Sequence, residues 1–383
     1  MQRRHDIDWL RIIAIVLVLY FHVAMIFTEE WEWHIKNEEL SYLWLEFNFW
    51  LSQFRMPLLF FVSGYGTYLA LRKRSAWQYT KERHNRLMIP LVFSMFAIVP
   101  PQIYFERIFT TPGVYSSFLD FYPQTFNFIP YPTGDFSWHH MWFVLYLFFY
   151  SIIGLPLFLY LRKEKGQVLI TQLAGAKAWR QIGMLTIPTI IIYTFWTGGT
   201  GRSNDFIHDW NWHPYWFSFF LAGFLIGIVP SIWDSVATKR RTLLGISLLS
   251  IFIINFLRWN KLEPWGISDN LEGLFKLLLG INAWAWLLAA AGYAKQYLNR
   301  PHPVLAYANQ AIYPFYILHQ TIIIAIGFYV VQVQEGMLAK YLFISSLSLI
   351  GSLVIYEYLI RPFRVMRFLF GVKSAKPPNP PNR

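Results

Sequence analysis

The sequence predicts an all-α polytopic membrane protein of about ten transmembrane helices, with both termini cytoplasmic. Three observations carry this: composition, a series of apolar runs, and alternation of basic loops. Of 383 residues, 55% are hydrophobic and 20% aromatic but only 14% are charged, against about 25% charged in an ordinary soluble domain. Cysteine is absent, which excludes disulfides, thiolate metal sites, iron–sulfur clusters and cysteine nucleophiles. The net charge of +12 would suit nucleic acid only if it were not concentrated where a membrane protein collects it, so no nucleic-acid partner is expected.

Spanning requires about 20 mainly apolar residues. The runs lie at Ile7–Phe27, Trp44–Leu71, Leu87–Phe105, Met141–Leu161 and Met184–Trp196, then at Trp212–Trp233, Leu243–Leu257, Leu274–Tyr293, Ile312–Val331 and Tyr341–Ile360. The first carries Arg11 and His22 and lacks the small-residue cleavage site of a signal peptide, so it reads as a retained helix. The fifth and seventh are the shortest. We find no internal repeat and no long linker. The expected organisation is one ten-helix membrane domain over residues 1–372 and a disordered cytoplasmic tail over 373–383, rich in Pro and Asn.

Orientation follows from the connecting segments. Arg3 and Arg4, the stretch Arg72 to Arg86, the stretch Arg162 to Arg180, Lys239 to Arg241, Lys295 with Arg300, and the tail from Arg361 hold 24 of the 33 Lys and Arg. All are alternate segments, as ten spans with both ends inside a plasma (inner) membrane require. The opposite loops carry Glu29, Glu30, Glu32, Glu38 and Glu39, or are rich in aromatics and proline, as in Pro112–Trp138.

Ionisable residues inside a span cost about 2.5–3.5 kcal/mol each on insertion scales and mark function by default. Arg11 and His22 are eleven residues apart, three helical turns to within about 20°, and so share one stripe roughly 16 Å long. Arg11 at the cytoplasmic end suits an anionic group through its forked donors. His22, nearer the outside, suits general-base work because its pKa lies near operating pH. A structural account serves the same residues: Arg11 snorkels to lipid phosphates and His22 bonds a neighbouring helix. Arg55 lies deep in the second run, placed to orient a carboxylate or steady an oxyanion, or to pair with Glu46. Gly198-Gly199-Thr200-Gly201 resembles a phosphate loop in composition only, because no Lys-Ser/Thr follows. Ser63-Gly64 lacks the strand-to-helix context of a nucleophile elbow. His139 and His140, adjacent and about 100° apart on a helix, make a poor metal pair, and no metal is expected.

At these residues the chain resembles acyltransferase family 3, whose first helix carries Arg or Lys, ten residues, then His, as at Arg11 and His22. The resemblance continues through Phe54-Arg55-Met56-Pro57-Leu58-Leu59-Phe60-Phe61-Val62-Ser63-Gly64-Tyr65 and Arg83-His84-Asn85-Arg86. It runs on through His140-Met141-Trp142-Phe143, Tyr316-Ile317-Leu318-His319, and Glu357 with Arg361-Pro362-Phe363, six landmarks in order. The second-helix segment departs from the Ser-Phe-Arg-Met pattern, since Gln53 stands between Ser52 and Phe54, yet it looks closest to the branch that succinylates osmoregulated periplasmic glucans. The family's fused serine-esterase domain is not expected after so short a tail.

The resemblance implies transfer of an acyl group, acetyl or succinyl, from cytoplasmic acyl-CoA across the bilayer to a hydroxyl of an extracytoplasmic glycan. It implies His22 as general base, with direct transfer or an acyl-histidine both open. Arg83, Arg86 and Arg11 would meet the phosphates of CoA, although positive-inside bias also accounts for Arg83 and Arg86. Glu29, Glu32, Asp135, His139, His140 and Trp142 surround the expected outer mouth, where carboxylates accept sugar protons and indoles stack on pyranose faces; an aromatic belt accounts for Trp142 equally. His319 stands at the sugar site or bonds a neighbour. The rival from another class is a transporter or flippase for a lipid-linked saccharide or anion, which would ordinarily show inverted repeats. The sequence carries no signal of oligomeric state.

Overall fold

The computed structural model describes residues 4–197 and 203–372. Gly198-Gly199-Thr200-Gly201 and the tail from Lys373 to Arg383 therefore lie outside the described residues. Among those described, regular structure is helical, with two isolated β-bridges, Thr28 to Ser41 and Pro130 to Phe136.

In chain order come α1 (His5–Met25), α2 (Tyr42–Leu71), α3 (Ala76–Arg83), a π-helical turn (His84–Met88), α4 (Ile89–Ala97) and α5 (Pro100–Thr110). Short α6 (Phe118–Phe121) and 3-10 turns at Tyr122–Asn127 and His139–Met141 lead into α7 (Trp142–Ile153), α8 (Leu155–Leu161), α9 (Glu164–Ala174) and α10 (Ala178–Phe195). Then follow α11 (His213–Ile228), α12 (Pro230–Trp259), α13 (Asp269–Tyr297), α14 (Val304–Val330) and α15 (Met337–Ile355). A second π turn (Tyr356–Ile360) and α16 (Arg364–Leu369) complete the order.

Every expected apolar run lies largely in helix, the third broken after Ala97 and the fourth at Gly154, and the sixth ends elsewhere than expected. Trp233 does not close the sixth run: α11 stops at Ile228, and Pro230, whose fixed φ suits a first helical turn, starts α12 instead. Among the described residues, six helices are long and apolar enough to cross a membrane, and the pair His139–Ile153 and Leu155–Leu161, bent by 49°, adds a seventh if it is one span. The bend falls at Gly154 and Pro156, a helix-weakening pair. Tyr42–Leu71, Ala178–Phe195 and His213–Ile228 are helical but are not among these. The first carries Glu46, Gln53 and Arg55, and the last, with 16 residues, reaches about 24 Å against a hydrocarbon thickness of about 30 Å.

The chain forms two compact units, each assembled from separated stretches. One comprises Met1–Phe21, Tyr42–Thr80 and Tyr146–Leu305; the other comprises His22–Ser41, Lys81–Leu145 and Ala306–Arg383. In the first unit α2 and α11 pack backbone to backbone. A Cβ built at Gly64 would lie 1.8 Å from the carbonyl oxygen of Phe220, and one at Gly223 would lie 1.8 Å from that of Phe61. One turn on, a Cβ at Gly227 would meet the Tyr68 ring at 2.3 Å. Gly223-x-x-x-Gly227 is thus the small-residue motif that lets membrane helices approach closely. Phe158 stacks on Phe224 at 4.2 Å beside it. Asp6, fully buried, accepts from Arg4 and from the Trp233 indole at 2.9 Å.

In the second unit, Val99, Ile103 and Phe121 form an apolar cluster with Tyr104, Tyr115, Phe118 and Tyr131 packed on it. The aromatic loop 112–138 is therefore folded against α5. Lys340 of α15, 7% exposed, donates to Asn37 at 2.8 Å, tying the segment after α1 to a distant helix.

Candidate active site

His22 sits in the last turn of α1. Its Nδ1 lies 2.9 Å from Nε2 of His319, and the two rings stack at 5.1 Å. His319 is fully buried on α14, and its Nδ1 is 2.5 Å from the carbonyl oxygen of Tyr316. A carbonyl only accepts, so His319 Nδ1 carries a proton, and in the neutral ring Nε2 then accepts from His22 Nδ1. His22 then presents Nε2 as its basic nitrogen. The chain carbonyl–imidazole–imidazole sets the tautomer of His22 and orients its ring.

His140 is placed by the same logic. Its Nε2 donates to the carbonyl of Ile317 at 3.0 Å, its own carbonyl accepts from the Tyr316 hydroxyl at 2.5 Å, and its ring lies 5.3 Å from that of His319. Gln102 of α5 approaches His140 Nδ1 at 3.4 Å and donates to Thr321 at 2.7 Å, while Gln320 donates to Gln102 at 3.1 Å. Tyr316, Ile317, His319 and Gln320 fall within five consecutive positions of α14, which is why one segment serves so many partners.

Trp33 stacks on His22 at 6.0 Å and meets His34 edge-on at 5.3 Å. The His34 Nδ1 makes a very short contact with Glu106 of α5, and the Tyr131 hydroxyl donates to the other carboxylate oxygen at 2.8 Å. Burial, then the neighbouring Glu106 carboxylate, push the Tyr131 hydroxyl up from its ordinary pKa, so it stays a donor. Arg107 is held by Asp135 at 2.9 Å. Burial lowers the Lys36 ammonium from its ordinary value, an effect that the charge of Glu32 opposes, and Lys36 caps the end of α1 through the carbonyls of Met25 and Thr28 at 3.1 and 2.5 Å.

Of the residues singled out in the sequence, His22, His140 and His319 therefore meet. Trp142 heads α7, 9% exposed, beside Phe143 at 6.5 Å. Glu29 is half-buried in the turn after α1, where its carbonyl accepts from the amide of Trp31. Arg83 precedes the π turn between α3 and α4, and Arg86 lies within it. Arg86 reaches Glu82 at 3.7 Å and donates to the carbonyl of Gly371 at 3.3 Å. Gly371 has φ 63, a conformation that favours glycine, and a Cβ there would lie 2.8 Å from the Arg86 carbonyl.

Arg11 and Arg55 belong to the first unit. Arg11 lies 4.0 Å from Asp8, and a Cβ at Gly66 would sit 3.8 Å from its guanidinium. Arg55, 8% exposed, covers the Phe21 ring at 3.3 Å. The structural alternative for Arg55, a pair with Glu46, is not formed: Glu46 binds Arg258 at 2.8 Å, because Arg258 reaches it from the end of α12.

Sequence reasoning missed His34, Gln102, Glu106 and Gln320. Two signals pointed to three of them: Gln102 and Glu106 are four apart on one helix, and Gln320 adjoins His319.

Residues 4–357 match the profile of a family described as an acyltransferase domain. Similar proteins include glucans biosynthesis protein C of Salmonella heidelberg (strain SL476) and of Salmonella enteritidis PT4 (strain P125109). Each is 22% identical over 400 residues that cover 98% of this chain and 96% of the relative. No solved structure matches.

Proposed function

Since the chain belongs to this acyltransferase family, we propose that it moves an acyl group from acyl-CoA to a hydroxyl of an envelope glucan, with His22 as general base. The observation that carries the reading is the Tyr316 carbonyl–His319–His22 chain, which delivers a lone pair on His22 Nε2. The acceptor class rests on the printed names of the glucan relatives.

The hydroxyl oxygen attacks the thioester carbonyl while His22 Nε2 takes the hydroxyl proton. The tetrahedral intermediate then expels the CoA thiolate, which recovers the proton from imidazolium, giving an ester and free CoA. His22 Nδ1–H stays with His319 throughout, and the second imidazole disperses the charge that develops on the first. Acetyl and succinyl are both compatible with this chemistry. Arg83, at the edge of one π turn, and Arg86, within it, take the CoA phosphates, as planar forked donors suit. Arg11 and Arg55 keep phosphate binding and oxyanion support as roles that substitution tests.

The topology that goes with this function is ten spans in a single membrane domain, both termini cytoplasmic, in the inner membrane. The Lys and Arg distribution supports it. Mass spectrometry of envelope glycans from cells with the protein, without it, and with His22→Ala is the deciding experiment. A mass increment lost in both the deletion and the mutant names the acyl group and acceptor together. An increment retained with His22→Ala overturns the general base; glycans alike in all three strains overturn the acceptor and favour transport.

A further inference from the structure

We propose that His34, Glu106 and His139 form a binding site for one divalent transition-metal ion, zinc being the best match. Their donor atoms lie within 4.8 Å of one another, although the residues come from three separate segments: the chain after α1, helix α5 and the 3-10 turn before α7. Two imidazoles and a carboxylate are a zinc donor set that leaves a fourth position open. With nitrogen in the majority and no thiolate, the set also discriminates against calcium, magnesium and copper(I).

Three further features make this more than proximity. First, each donor residue is held at its far side. Ser137 Oγ takes His139 Nδ1 at 2.7 Å, Tyr131 donates to Glu106 Oε1 at 2.8 Å, and Gln320 lies 3.2 Å from His34 Nε2. Outer partners of this kind fix the tautomer and aim of metal ligands. With the ion on His34 Nδ1, the ring proton sits on Nε2, and the Gln320 amide would turn its oxygen to it and release its bond to Gln102.

Second, Ser137 occupies His139 Nδ1 and leaves Nε2, which is buried and meets no hydrogen-bond partner. A buried ring nitrogen without a partner is destabilising, and an ion would satisfy it. Third, His139 has φ 39, a left-handed backbone rare outside glycine and concentrated at ligand sites. That twist also answers the sequence expectation of no metal, which treated His139 and His140 as neighbours on a regular helix. They do not act as a pair here: His140 turns to Ile317 and His139 to His34, whose ring is 4.9 Å away. Arg107, whose charge reaches Glu106 and His139, is paired with Asp135.

Around zinc at about 2.0–2.2 Å from each donor, tetrahedral donors stand roughly 3.4 Å apart. His34 and Glu106 therefore open slightly and His139 closes, each by side-chain rotation. The ion would pin the segment that carries Trp33, and so the ring stacked on His22.

The test is independent of acyl transfer. Purified protein is stripped with a chelator, equilibrated with Zn2+ and washed, and its metal content is read by mass spectrometry. One zinc per chain, lost in His34→Ala, Glu106→Gln and His139→Ala and kept in His22→Ala, is expected. Ser137→Ala and Tyr131→Phe should weaken zinc binding about 10- to 100-fold. Glu106→Gln, nearly isosteric, carries the test where the alanine forms do not accumulate. Absence of tightly held zinc in the wild type, or zinc retained by the three ligand variants, overturns the site without touching the general base.

Discussion

Where α2 meets α11, glycines let two backbones touch, and aromatic rings such as Phe158 and Phe224 fill the flanks. Around His319 the interior is made instead of His22, His140, Gln102 and Gln320, each hydrogen-bonded to a named partner. The first region gains from closeness, because small residues are what brings membrane helices together. The second carries polar groups that are expensive in an apolar surrounding and are tolerated because they are paired. Both regions contain sequence landmarks, Ser63-Gly64 in one and His319 in the other, but the imidazoles that meet lie in the polar region.

The comparison can be broken at its extremes. His22→Ala should lower acyl transfer by about 100- to 10,000-fold, the usual worth of a general base, while the purified protein keeps its thermal transition. A matched loss of stability would move His22 into the packing class. Gly64→Ala should do the converse. Its new methyl has no room beside the Phe220 carbonyl, so a loss of about 1–3 kcal/mol from overpacking is expected, read as a lower unfolding temperature in detergent.

A smaller effect sharpens the division within the polar region. His319→Leu removes the acceptor for His22 Nδ1 and should cut kcat about 2- to 10-fold, one neutral hydrogen bond, with KM for both substrates unchanged. His319→Gln, whose amide oxygen also accepts, should recover most of it. If both lower stability and neither changes kcat, His319 only packs.

The smallest effect concerns Lys36, whose folded pKa lies below the 10.5 of the unfolded chain. Between those two values the unfolded state binds the extra proton, so stability should rise with pH across that window. Lys36→Met should flatten the rise in denaturation curves taken from neutral to alkaline pH.

Much of the fold was legible because apolar runs of spanning length leave few alternatives to helix. The Arg11–His22 stripe and the place of His319 were legible for the same reason, being positions on regular helices. The partner of Glu46 was not, since Arg258 is 212 residues away and closer candidates looked as good. His34 and Glu106 escaped notice because their meeting depends on the turn after α1, tied by Asn37 to Ile26 and by Ser41 to Phe27, which no periodicity encodes. Both π turns were equally invisible, although they fall on Arg83–Arg86 and on Glu357, two of the sequence landmarks. A wider turn at such places is a common mark of functional positions.

The reciprocal contact of Gly64 with Phe220 and of Gly223 with Phe61 also bears on motion. A slide by one helical turn, about 5.4 Å, would drive Phe60 or Tyr68 into the space that only a hydrogen now fills. The pair α2 and α11 is thus geared like meshed teeth and travels as one piece, so whatever rearrangement accompanies turnover must be absorbed by other joints of the chain.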